Sequence, residues 1–136
     1  MGTVPGAEKK AMADIPVETI LRRFEEPDEV RIFPKGKFEL VRIGGMTIGR
    51  ASYHPGWKWS VDVGAETGLA SCHVEHVGVV VSGCAAVGMD DGPVHEMRAG
   101  DLFYVPPGHD SWVVGNEPYV SLHFLGADDY AAKGAD

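Results

Sequence analysis

Basic residues are scarce in this chain: 12 Lys and Arg stand against 20 Asp and Glu, a formal net charge of -8 over 136 residues. A field of that sign repels the phosphates that dominate nucleic-acid affinity, so nucleic acids and anionic membrane surfaces drop out as partners. Long apolar runs are missing as well. No stretch approaches the roughly 20 apolar residues of a membrane helix. The polar start from Met1 to Lys10 lacks the apolar core of a signal peptide, which predicts a cytoplasmic protein. Cysteine is confined to Cys72 and Cys84, too few for a disulfide framework, and both are expected as reduced thiols.

What the chain does have is apolar mass and punctuation. Hydrophobic residues make up 44% of it, enough for the core of one domain. Its 18 glycines and 9 prolines are spread between many short segments, with no internal repeat, and that spacing predicts an all-β fold. One short amphipathic helix is expected near the start. There Val17, Ile20, Leu21 and Phe24 recur at helical spacing, after Asp14 and Pro16 and before Pro27. The run from Arg22 to Glu26 would form its solvated face.

Strands are predicted at Val30 to Phe33, Phe38 to Ile43, and Met46 to Tyr53 after a Gly44-Gly45 hairpin turn. Val77 to Val81 and Cys84 to Met89 flank Ser82-Gly83 as a second hairpin, and Asp90-Asp91-Gly92 leads into Val94 to Arg98. Asp101 to Val105, Ser111 to Val114 and Tyr119 to Leu125 complete the set. About nine or ten short strands with almost no helix predict a small antiparallel β-barrel or jelly roll. The expected organisation is an N-terminal extension with the short helix over 1–28, the barrel over 29–130 and a disordered tail over 131–136.

Histidine is the residue type that points to chemistry. His73, His76, His95, His109 and His123 fall in the β region, and His54 precedes the aromatic segment Pro55-Gly-Trp-Lys-Trp59. Neutral imidazole is the commonest metal ligand, and inward residues of neighbouring strands can converge on one ion. Cys72 and His76 are four residues apart, about 13 Å along a straight strand, so only a bend between them lets both reach one metal. By strand parity His73, Glu75 and His95 are expected outside, and Cys84 is expected to serve packing.

Gly64, Gly83, Gly100, Pro106 and Gly108 reproduce the framework spacing of two motifs, G-x5-H-x-H-x3/4-E-x6-G and G-x5-P-x-G-x2-H-x3-N. On that framework the chain resembles the cupin superfamily, in particular small single-domain cupins with a PGWxW segment and a PPGHDxW loop. The resemblance implies a jelly-roll barrel with an internal cavity, and it supplies the bend between Cys72 and His76, because those two motif positions lie on either side of a turn. The usual metal ligands are all replaced: their positions carry Ala70, Cys72, His76 and Ser111.

His109, two residues before Ser111, is the expected substitute, and His123 on the final strand is a candidate fourth ligand. A site of His76, His109, Cys72 and His123 would suit a divalent transition metal such as Zn, Fe, Ni or Mn. Trp57, Trp59, Ser111 and Trp112 are the expected walls of a substrate pocket, with Trp57 and Trp59 on one strand face. Asp110 is placed either behind His109 or in a surface role. Two functions follow: a metal-dependent enzyme of oxygenase or isomerase type acting on a small molecule, or a metal-free or structural-metal module that binds a small molecule as a sensor. A barrel with no ligand of consequence ranks below both. A homodimer covering the N-terminal edge strands is expected.

Overall fold

Antiparallel pairing organises the structure, a computed structural model that describes residues 18–131, and it joins strands far apart in sequence, such as Met46–Tyr53 with Tyr119–Leu125 and His76–Ser82 with Leu102–Val105, as well as sequence neighbours. Nine strands and two one-turn helices follow in order among the described residues. They are β1 (Glu29–Phe33), β2 (Gly36–Ile43), β3 (Met46–Tyr53), α1 (Trp59–Asp62), α2 (Gly64–Thr67), β4 (His76–Ser82), β5 (Cys84–Met89), β6 (Val94–Arg98), β7 (Leu102–Val105), β8 (His109–Val113) and β9 (Tyr119–Leu125). A six-stranded sheet runs β1-β2-β3-β9-β4-β7, and a three-stranded sheet runs β6-β5-β8. This is the expected antiparallel jelly roll. No helix among the described residues is long and apolar enough to cross a membrane.

The turns follow local chemistry. Gly44 and Gly45 both adopt positive φ between the paired residues Ile43 and Met46, the geometry of a two-residue hairpin. The Asp90-Asp91-Gly92 turn closes the hairpin of β5 and β6. Ser82-Gly83, by contrast, is not a hairpin: β4 pairs with β7 and β9, while β5 pairs with β6 and β8. The chain passes there from one sheet to the other. Gly83 makes the corner with φ 79°, and a Cβ on it would stand 2.3 Å from the Pro118 carbonyl oxygen, so any side chain is excluded.

Two other expectations are corrected. Glu18 to Phe24 form no helix, while Val17, Pro16 and Asp14 lie outside the described residues, as do residues 132–136 of the expected tail. The Arg22 to Glu26 run is instead a turn strapped to the large sheet. Arg22 pairs with Asp28 at 3.0 Å, Glu25 pairs with Arg50 at 3.1 Å, and the Arg50 guanidinium lies 5.0 Å from the centre of the Phe24 ring. Tertiary ion pairs replaced the local helix, whose apolar face had no core to enter: Leu21 is 89% exposed. Trp57 and Trp59 share no strand face either, because Trp57 ends a turn and Trp59 opens α1.

Both tryptophans are core residues. Trp57 stacks on Tyr53 at 3.7 Å between ring centres, and Trp59 fills the space a Cβ on Gly64 would need, 2.6 Å away. Phe38, Leu40, Ala51 and Val80 complete the interior beside them. The last strand carries an inverted pattern. Tyr119, Ser121 and His123 point inward and are buried, whereas Val120, Leu122 and Phe124 face out. The interior of this barrel is therefore partly polar.

Candidate metal centre

Cys72 and His109 are brought together by backbone pairing. An isolated antiparallel bridge joins them, with the Cys72 N–H donating to the His109 carbonyl at 2.6 Å and the Gly108 N–H donating to the Cys72 carbonyl at 2.8 Å. The chain then runs irregularly through His73 to Glu75 before His76 starts β4, opposite Val105 of β7. That irregular stretch is the bend the spacing demanded. Cys72 Sγ and His76 Nε2 end 3.6 Å apart instead of a strand's 13 Å.

One donor atom from each of Cys72, His76 and His109 lies within 4.8 Å of the others, and all three side chains are buried. Bonds of about 2.3 Å to sulfur and about 2.05 Å to nitrogen at tetrahedral angles place the two donors about 3.6 Å apart, the separation found between Cys72 and His76. His109 is oriented for the task. Its Nδ1–H donates to the Pro106 carbonyl at 2.8 Å, which fixes the tautomer and leaves the Nε2 lone pair free. The donor set thus fits a divalent ion of zinc-like character.

Burial sets the charge of these groups. It holds His76 well below the ordinary histidine value, with the neighbouring His123 and His109 adding to the effect, and it brings His123 down to about 3. His109 is lowered by burial too, against the opposing Pro106 carbonyl. All three imidazoles are neutral at neutral pH, the form that ligates metal. Burial also pushes the Cys72 thiol up to about 11, so without a cation it is a thiol, and a bound cation would draw off the proton.

His123 stands apart from the three-residue group. Its Nε2 is 2.9 Å from the Ser121 hydroxyl, and its ring lies 5.1 Å from that of His76. Beside them is a cavity of about 40 Å³ whose wall includes His76, His109, Ser111, His123, Trp57 and Tyr130. Trp59 and Trp112 are outside that wall: Trp59 packs beneath α2, and Trp112 lies against the Lys58 ammonium at 5.5 Å. Asp110 does not orient His109. Its carboxylate accepts from the Ser60 N–H and hydroxyl at the start of α1.

His73, Glu75, His95, His54 and Ala70 are exposed, and Cys84 is half-buried. Sequence reasoning missed Ser121, Tyr53 and Tyr130. The Tyr53 and Tyr130 hydroxyls bond each other at 2.6 Å, and the Tyr130 ring lies 5.1 Å from that of His76. A signal for Tyr130 existed: it is the one large residue in the small and charged run from Gly126 to Asp136.

No protein-family model and no curated protein matches the sequence. Solved structures match in fold. A protein of unknown function from Rhizobium leguminosarum superposes with a TM-score of 0.58 at 21% identity, covering 80% of this chain and 97% of its own. A conserved protein with a double-stranded β-helix domain from Klebsiella pneumoniae gives 0.54 at 20%, covering 81% and 91%. The oxalate decarboxylase of Lactobacillus farciminis, in complex with formate, gives 0.55 at 20%, covering 72% of this chain but only 30% of its own. At these identities the likeness is one of fold.

Proposed function

We propose, from the premise that this chain has the double-stranded β-helix fold of the cupins, that it holds a divalent transition metal through Cys72, His76 and His109 and acts on a small molecule in the adjoining cavity. The observation that carries this reading is the convergence of three buried donors at the cavity wall. Three protein ligands leave a position open, the arrangement of catalytic rather than closed structural sites. When bound, the ion would supply Lewis acidity or oxygen activation, in keeping with oxygenase- or isomerase-type chemistry. The protein's own part is to keep the imidazoles neutral by burial, fix His109 through Pro106, and shield the reacting molecule from bulk water.

The test is metal content by elemental mass spectrometry on untagged protein, with His76→Ala, His109→Ala and Cys72→Ser alongside. Near one equivalent of metal in the wild type and a loss in each variant is expected. A wild type that takes up none of Zn²⁺, Fe²⁺, Ni²⁺ or Mn²⁺ on reconstitution overturns the reading. The second reading is a metal-free or structural-metal module that binds a small molecule as a sensor, for which the cavity beside the three donors would serve. In that case the cavity binds its ligand with equal affinity before and after chelation.

A homodimer in the cytoplasm completes the proposal. The edge strand β1 exposes Val30 and Ile32, which a second copy would cover, and both cysteines are free thiols. Sedimentation of the wild type against Ile32→Lys reads the dimer directly.

A further inference from the structure

The outward face of the six-stranded sheet changes character along its width. On β2 and β3 it carries Lys37, Glu39 and Arg50, which pair with one another and with Glu25 of the N-terminal turn. On β9, β4 and β7 its residues carry no charge. His76, Gly78 and Val80 of β4 turn inward and are buried, so Val77, Val79 and Val81 turn out. By the same alternation Leu122 and Phe124 of β9 and Leu102 and Tyr104 of β7 face out.

The strand register aligns these side chains into rows. Val79 stands between Leu122 and Leu102, and Val77 stands between Leu125 and Tyr104. Leu102 is 81% exposed, Tyr104 59% and Val81 52%. The only polar side-chain atom among them is the Tyr104 hydroxyl, which donates to the Glu75 carboxylate at 2.8 Å. The exposed parts of the face amount to about 500 Å², near the upper end of the largest apolar patch a monomer leaves open. Two such faces together reach about 1,000 Å², the size from which a specific interface is built.

Charge and shape select the occupant. A formal charge of -8 keeps anionic membranes away, and keeps copies of this chain apart wherever that charge is displayed. The face of β9, β4 and β7 displays none, so two copies can meet there without burying an unpaired ion. A sheet face is also its own complement. Two of them stack about 10 Å apart with interdigitating side chains, and a two-fold axis makes the contact the same from either side.

We infer that the outward face of β9, β4 and β7 is the surface on which a second copy of this chain docks, sheet against sheet, with Leu102 and Tyr104 as its anchors. β1 lies at the opposite edge of that sheet, separated from β9 by β2 and β3. The contact is therefore distinct from the cover of Val30 and Ile32 proposed above, and it requires neither that cover nor a metal.

The test is sedimentation of the full chain over a concentration series, with Leu102→Lys, Tyr104→Lys and Ile32→Lys as single variants. All three side chains are exposed, so each variant is expected to fold, and thermal unfolding checks this. Leu102→Lys and Tyr104→Lys should each raise the dissociation constant of the sheet-face association at least about tenfold, by placing an ammonium in an apolar contact, while Ile32→Lys leaves that association in place. On wild-type protein, a soluble paramagnetic probe should spare the methyl resonances of Leu102 and Val81.

A wild type that stays monomeric overturns both contacts. A dimer that only Ile32→Lys dissociates, with the Leu102 methyls broadened by the probe, overturns the sheet-face contact and leaves the β1 contact standing. A dimer that only the Leu102 and Tyr104 variants dissociate upholds the sheet face and removes the β1 contact. A tetramer that either kind of variant reduces to a dimer upholds both.

Discussion

Acidification should unfold the metal-free protein far sooner than its surface charges alone would. His123 is held at about 3 and His76 well below its ordinary value, both by burial, against about 6.5 in an unfolded chain. Between those values the unfolded state binds protons that the folded state refuses, so the contribution of these two groups falls away as pH drops through about 6.5 and levels off about one unit above it. From pH 7 to 5.5 linkage gives a loss of about 1.3 kcal/mol for each group, about 2.5 kcal/mol for His76 and His123 together. With urea slopes of about 1 to 3 kcal/mol/M, the midpoint falls by about 0.8 to 2.5 M.

The window separates imidazoles from carboxylates. Asp28 and Glu29, lowered chiefly by hydrogen bonds from Arg22 and Arg31, lose their contribution only as pH falls below the ordinary carboxylate range. The assay is urea unfolding of chelated protein at half-unit steps from pH 7.5 to 5.5, with His123→Leu as a second series whose slope should drop by about one proton. A midpoint that stays level across that range, with unchanged m, refutes the buried neutral histidines.

Tyr130→Phe leaves the Tyr53 hydroxyl buried without its 2.6 Å partner and should cost about 1 to 3 kcal/mol in urea unfolding, as should Tyr53→Phe. The double variant removes both polar groups, so its loss should fall clearly below the sum of the two; strict additivity would show that the hydroxyls are not coupled. Gly83→Ala should lose at least about 2 kcal/mol, because the new methyl meets the Pro118 carbonyl and the residue holds a positive φ; a change under half that figure in thermal unfolding would refute the tight corner.

The alternation of short apolar runs with glycine and proline made the strands legible, and Met46–Tyr53, Cys84–Met89, Val94–Arg98 and Tyr119–Leu125 were predicted at their observed bounds. Turn chemistry was legible where it is local, as at Gly44-Gly45. It misled at Ser82-Gly83, because a glycine corner between sheets and a hairpin turn carry the same residues. The helix expected near Phe24 failed for a related reason: its period was present, but partners on the sheet, Arg50 among them, decided the conformation.

At the candidate site, the length of a straight strand left Cys72 and His76 out of reach of one ion, and the irregular stretch from His73 to Glu75 closed the gap. Ser121 and Tyr53 were invisible because a single polar or aromatic residue in a strand has no pattern of its own, and Tyr130 was marked only as the one large residue in its run. Hydrophobic alternation in β9 would even have turned Val120, Leu122 and Phe124 inward.

Residue order by itself determined the strand segments, the tight local turns, the acidic surface and the stock of imidazole and thiol donors, since each depends on neighbours within a few positions. The tertiary structure decided which sheet each strand joined, which face of β9 met the interior, and that Cys72, His76 and His109 share one buried space beside His123. Those outcomes depend on pairings across tens of residues, and burial, which sets the neutrality of the histidines, exists only once the two sheets have closed over them.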